Sequence, residues 1–264
     1  KDSLEIVFNV ENVNDEPLIT QTTPSEKSVR VLEGTEVRFS LNGDDVDNEV
    51  LAYEWRVDGN IEGTEKEFIF VFDEPGAGTV KGILSDGEFR KEETWSLEVI
   101  ARVNSENFDG ETTDFFNANL NSLNNLVIEK KDIGKILFLD TISLNGNKNL
   151  NSNVIISRKA VSVNSGEIPE LNKRARITML GQSYLNKPAI YKSDSFTDDN
   201  SEINKLCREC RIASYTNGPT NNGVVIFEVD GFSSYAVREL SEEENEGFCI
   251  GGKKGDINLK VKEP

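Results

Sequence analysis

Asn12, Asn14, Asp15, Asp45 and Asp47 are the side chains of this chain best suited to chemistry. They place short oxygen donors in two polar stretches, Asn12-Val13-Asn14-Asp15 and Asp44-Asp45-Val46-Asp47. Calcium takes about six to eight hard oxygens at short range, and loop Asp and Asn side chains supply them without burying an unpaired charge. The five residues are read as one calcium cage at the entry to the first strand-rich block, with Asp44, Glu33 and Asp86 as second-line donors. The competing reading is structural: Asp at 44–47 and 86 suits turns, which it closes by hydrogen bonds to its own backbone.

Cys207-Arg208-Glu209-Cys210 invites three readings. A zinc ribbon wants four ligands in paired spacing, and only Cys249 remains here. A thioredoxin-like pair opens a helix after a strand, whereas Arg211 to Tyr215 reads as further β-structure. In an oxidising compartment the two thiols close a small disulfide that pins their loop, and this reading fits best. Cys249 is then unpaired within this sequence, or bonded to a residue outside it.

Other chemistry finds little support. The chain has no histidine, the side chain most used as general base, relay and catalytic metal ligand. With 47 acidic residues, carboxylate pairs at the spacing of a glycosidase arise by chance, so none is nominated. The phosphate-cradling glycine loop and the strand-turn-helix serine elbow are both missing. No catalytic residue is assigned, and the sequence reads as non-enzymatic. The formal charge of -18 repels a phosphate backbone, so nucleic acid is not expected as a partner. No stretch approaches the ~20 apolar residues of a membrane-spanning helix, and no Asn-x-Ser or Asn-x-Thr acceptor occurs.

The elements that must position these groups are strands. Leu4, Ile6, Phe8 and Val10 alternate with polar residues until Asn14-Asp15-Glu16-Pro17 breaks the pattern. Alternation returns at Val37, Phe39 and Leu41, at Leu51, Tyr53, Trp55 and Val57, and at Trp95, Leu97 and Val99. Phe68 to Phe72 is apolar on both faces, as a central strand would be, and Trp55 is the expected core pin. Turn signals at Asn42-Gly43, Asp58-Gly59, Pro75-Gly76 and Asp86-Gly87 separate the runs.

A second strand-rich block follows a polar boundary at 104–113. Its expected strands lie at 126–128, 135–139, 154–156, 160–163, 175–179, 189–191, 211–215 and 224–229, with a short helix within 115–126. Alternation puts Arg174 and Arg176, in the densest basic cluster, on one solvated face. The expected fold is all-β: tandem immunoglobulin-like β-sandwich domains joined by short acidic linkers. Residues 1–16 form the last strand and linker of a preceding domain, 17–103 the first sandwich and 104–240 the second. Residues 241–264 form an acidic linker and the start of a further element.

The order Asn12-Val13-Asn14-Asp15, Glu33, Asp45-Val46-Asp47, Tyr53 resembles a cadherin-like repeat. Tyr53-Glu54-Trp55 with Ser85-Asp86-Gly87 is equally similar to a PKD-like repeat. The second block resembles a β-domain of secreted archaeal surface proteins through Leu171-Asn172-Lys173-Arg174-Ala175, the Cys pair and Val229 to Val237. These resemblances imply an extracellular or cell-surface location. They also imply a non-catalytic role as stalk, adhesion module or surface-lattice unit, with protein domains, cell-surface components or further copies as partners. The alternative function is a carbohydrate-binding accessory region of an extracellular hydrolase, for which Tyr184, Tyr191 and Tyr215 are the aromatic contributors.

Overall fold

A computed structural model describes residues 7–9, 11, 13–47, 50–183, 187–216 and 222–240. The chain divides into two compact units, Lys1–Arg102 and Val103–Pro264. Residues 4–6, 10 and 241–264 lie outside the described residues, and with them most of the expected first strand and the whole C-terminal linker.

The described residues of the first unit form eight strands: β1 (Leu18–Thr23), β2 (Ser28–Leu32), β3 (Thr35–Asp44), β4 (Ala52–Val57), β5 (Asn60–Gly63), β6 (Glu67–Phe72), β7 (Gly76–Ser85) and β8 (Arg90–Ile100). They form a sheet of order β1-β3-β6 and a sheet of order β2-β8-β7-β4-β5. Consecutive strands β1 and β2 thus enter different sheets, and β2 runs parallel to β8, with Val29 opposite Leu97. This strand order is that of an immunoglobulin-like sandwich.

Period-two alternation explains the packing, because it sends every second side chain inward. Val37, Phe39 and Leu41 from β3 meet Trp55 from β4 and Trp95 and Leu97 from β8 in one core. Trp55 is fully buried and stacks on Phe68 at 5.6 Å with a 13° interplanar angle. Each indole N–H finds a carbonyl: Trp55 Nε1 donates to Glu65 O at 2.8 Å and Trp95 Nε1 to Pro24 O at 2.9 Å. The pin is therefore a pair of tryptophans, with Phe39 against both.

Two elements differ from expectation. Phe68 to Phe72 is an edge strand and not a central one: Ile69 and Val71 remain 46% and 41% exposed while Phe68 and Phe72 are buried. Its second apolar face has no layer over it among the described residues. Strand β7 carries three glycines and no clean alternation, yet it pairs along its whole length with β8. Gly82 is required there, since a Cβ would lie 2.7 Å from Trp55 Cζ3.

The second unit contains β9 (Val103–Asn104), β10 (Val127–Lys130), β11 (Gly134–Phe138), β12 (Lys148–Asn149), β13 (Val154–Ile156), β14 (Val161–Val163), β15 (Ala175–Gln182), β16 (Pro188–Ser193), β17 (Lys205–Leu206), β18 (Arg211–Thr216), β19 (Gly223–Val229) and β20 (Ser234–Glu239). Two five-stranded sheets result, β10-β11-β15-β19-β18 and β13-β14-β20-β16-β17, with a short parallel pair of β9 and β12. Phe227 of the first sheet meets Tyr235 of the second at 6.1 Å, and Phe138 meets Phe232 of the turn before β20 at 5.4 Å.

The expected helix within 115–126 is a run of turns. Asp114 closes one, its Oδ1 accepting from the Phe116 N–H, and Asn119 closes another by accepting from Asn121. Asn125 adopts a φ of 56°, which ends any helical path. Side chains of this kind compete with helical hydrogen bonds, and here they win. Among the described residues the α-helix is instead the single turn Leu150–Asn153, capped by Asn149, with a 3-10 turn at Pro169–Leu171.

Candidate functional site

The β1–β3 ladder builds the acidic cluster. Leu18 opposite Asp44 brings the chain entering β1 alongside the loop leaving β3. Asp15 N–H donates to Asp47 Oδ2 at 2.7 Å, and Asn14 Nδ2 donates to Asp86 Oδ2 at 3.2 Å. Asp47 N–H donates to Asp45 Oδ1 at 2.9 Å, and Asp45 N–H to Asp44 Oδ1 at 3.1 Å. Two loops and the incoming segment therefore converge at one end of the first sandwich.

The structure thus joins Asn14, Asp15, Asp45 and Asp47, and of the second-line donors it brings in Asp44 and Asp86. Asn12 lies outside the described residues. Glu33 does not join them: its N–H donates to Ile100 O, and it precedes the far end of β3, about 30 Å away by strand rise. Partial burial raises the Asp86 carboxyl, but the N–H groups of Phe89 and Glu88 and the Asn14 amide outweigh it and hold the group below its usual range. Asp44, Asp45 and Asp86 all accept from backbone N–H groups, so the turn-closing role is physically present.

Two oxygens are left over. Asp45 is 8% exposed, and its Oδ2 is enclosed without a hydrogen-bond partner. Asn14 Oδ1 is enclosed and unpartnered in the same way. An enclosed acceptor with nothing to accept from is costly, by about 1–3 kcal/mol, and more when charged. Hard oxygens of this type suit calcium. Among the described residues, however, no group of three or more His, Cys, Asp or Glu is placed to hold a metal. Any cation here would thus draw on the Asn14 amide oxygen together with Asp45 and Asp47.

Cys207 and Cys210 are bonded to each other, with Cα atoms 5.4 Å apart. Cys207 follows β17 and Cys210 precedes β18, so the bridge closes the four-residue crossing from one sheet to the other. Cys249 lies outside the described residues.

The Nup98-96 autopeptidase S59 family (Nucleoporin2) matches residues 111–237, just under half of the chain and wholly within the second unit. This is a different family from the archaeal β-domain expected from the sequence, and no comparison supports the latter. Among curated proteins none matches the chain. Similar solved structures include fibronectin(III)-like modules of Clostridium thermocellum CbhA, at 15% identity and a TM-score of 0.29, covering 34% of this chain and 48% of that one. Human protocadherin-24 EC1-2 is similar at 13% identity and 0.27, covering 66% and 91%. Drosophila OTK extracellular domains 3-5 are similar at 12% identity and 0.28, covering 86% and 93%. The chain spans about half the length of the CbhA structure. The fold assignment rests on strand order, not on these likenesses.

Within the matched stretch the most shifted titratable group is Tyr235. Burial pushes its phenol up to about 12, outweighing the opposing hydrogen bond with Ser233. The hydroxyl donates to Gly231 O at 2.7 Å, which ties the turn before β20. A phenol so placed stays protonated at neutral pH and acts as a strut. The aromatic set considered for sugar binding does not assemble: Tyr191 is 5% exposed beneath the Arg238 guanidinium at 5.0 Å, Tyr215 is exposed, and Tyr184 lies outside the described residues. Arg174 and Arg176 are held by Asp140 and Glu228, so the basic cluster is a pair of ion bridges.

Proposed function

We propose that this chain is a non-catalytic segment of a secreted or cell-surface multidomain protein, whose sandwiches serve as stalk, adhesion module or surface-lattice unit. Calcium stiffens the entry to the first sandwich. The observation that carries this reading is the fastening of Asn14 and Asp15 to Asp86 and Asp47, beside the two enclosed, unpartnered oxygens of Asn14 and Asp45. Calcium held by Asn14, Asp45 and Asp47 would satisfy those oxygens and offset like charges gathered by the loops. The link into β1 would then resist bending. The Cys207–Cys210 bridge supports an oxidising, extracellular setting. Among the described residues no helix is long and apolar enough to cross a membrane.

Calorimetry with and without chelator tests this. A ligand that binds only the folded state at about 100 times its Kd adds about 2.7 kcal/mol, so calcium should raise the melting temperature by several degrees and Asp45→Ala should abolish the rise. An identical melting curve in calcium and in chelator removes the ion from the proposal.

Self-cleavage is the second reading, favoured by the match of residues 111–237 to an autopeptidase family. Cutting a bond of its own chain requires a nucleophile and a group to take its proton. The chain has no histidine for that task, and Tyr235 is a protonated strut. The mass of the purified protein after prolonged incubation separates the two: one intact chain supports the stalk, and two complementary fragments establish cleavage.

A further inference from the structure

Strand β6 pairs with β3 on one side and, among the described residues, with no strand on the other. Its free edge lacks the usual defences against a further strand: Phe68-Ile69-Phe70-Val71-Phe72 carries neither charge nor proline, and the β3–β6 register runs without a bulge. Both faces are apolar. Phe68 and Phe72 are buried in the core, Phe70 between them is half-buried with ring centroids 5.8 and 5.0 Å from theirs, and Ile69 and Val71 are exposed on the outer face. The sheet that β6 ends has three strands, against five in the other sheet of this unit.

We propose that a second copy of this chain occupies this edge, its β6 lying antiparallel to the first about a two-fold axis at Phe70. The sequence selects that register, because Phe-Ile-Phe-Val-Phe reads nearly the same in both directions. Phe68 then stands opposite Phe72 of the second copy, Ile69 opposite Val71, and Phe70 opposite Phe70. Directly opposed residues of an antiparallel pair share a face, so the phenylalanines extend the two cores toward each other, while Ile69 and Val71 of both copies form one apolar stripe outside. The flanks agree with this register. It sets Lys66 against Glu74 of the second copy at each end, and Glu67, which would face Asp73, already has its charge met by Arg38 at 3.2 Å. An axis one residue away, at Ile69, would set Glu67 against Val71 and Lys66 against Phe72, which removes the match. Two three-stranded sheets thus become one of six strands, a common size. A strand from another protein could take the same main-chain hydrogen bonds, but the near-palindrome favours the chain's own. Calcium plays no part in the join.

Sedimentation velocity of the full chain at rising concentration tests it. A monomer–dimer equilibrium is expected, and Ile69→Lys/Val71→Lys should raise its Kd at least about tenfold by placing charges in the stripe. Both side chains are exposed, so the double variant should keep the melting curve of the unaltered monomer. The register has its own readout. A mixture of Ile69→Cys and Val71→Cys chains should cross-link between positions 69 and 71, identified by peptide mass, faster than either variant alone. The proposal fails if the chain stays monomeric up to about 0.5 mM, if the lysine pair leaves the dimer unchanged, or if the mixture links no faster than its components. Growth past the dimer without a halt overturns it as well, because a two-fold join closes on itself.

Discussion

The backbone of Gly82 lies close against the indole of Trp55: a Cβ at position 82 would stand 2.7 Å from Trp55 Cζ3 and 2.9 Å from Leu41 Cδ1. Neither neighbour can yield, since Trp55 and Leu41 are both fully buried. Gly82→Ala should therefore destabilise the first sandwich by about 1–3 kcal/mol, the usual cost of overpacking a filled core. Urea unfolding followed by tryptophan fluorescence reads it, and an unchanged midpoint would show that the core has slack.

Tyr235 offers a pH signature. Burial lifts its phenol from the usual 10.0 to about 12, so the folded chain holds that proton more tightly than the unfolded chain. The associated stability is complete below about pH 10 and is lost as pH rises through 12, for a total on the order of 2–3 kcal/mol. In a spectrophotometric titration Tyr235→Phe should remove the last phenol to ionise. It should also lower stability at neutral pH by about 1–3 kcal/mol, because Gly231 O loses its donor. If the variant's titration curve overlays that of the unaltered chain, Tyr235 is not the shifted group.

Glu170 and Lys148 should govern the acid limb of the second unit. Partial burial raises the Glu170 carboxyl, but the Lys148 ammonium at 2.6 Å outweighs it and leaves the group below its usual 4.5. A depressed carboxylate contributes stability that is present above its unfolded value and lost as pH falls through its folded value. In Lys148→Met the carboxylate is left half-buried without its cation, which should cost about 1–3 kcal/mol at neutral pH and move acid unfolding to higher pH. Acid titration by circular dichroism decides this, and superimposable curves for the two proteins would rule out the pair as a contributor.

Much of the architecture was readable from the order of residues. Val37, Phe39 and Leu41 alternate with polar neighbours, and that alone assigns them to the inner face of a strand. Strand β7 escaped, because Gly76, Gly78 and Gly82 carry no hydrophobic pattern, and Gly82 is there for the sake of a partner, Trp55, that lies far away along the chain. The composition of Phe68 to Phe72 shows that both faces are apolar, yet it cannot show that the sheet ends there. In the acidic cluster, Asn14, Asp15, Asp45 and Asp47, with Asp86 in second line, could be nominated by residue type, whereas the exclusion of Glu33 needed the fold, which sets it at the far end of β3.

By itself the sequence determined the alternating faces of most strands, the positions of several turns and the absence of histidine chemistry. These are local properties, set by side-chain type and the two-residue period of a strand. The tertiary structure decided which strands lie at an edge, which glycines must remain glycine and which carboxylates meet. It also left Asp45 Oδ2 and Asn14 Oδ1 enclosed without a partner. The reason is that burial and pairing depend on groups brought together by sheet register, and one residue of slip would turn every strand side chain to the opposite face.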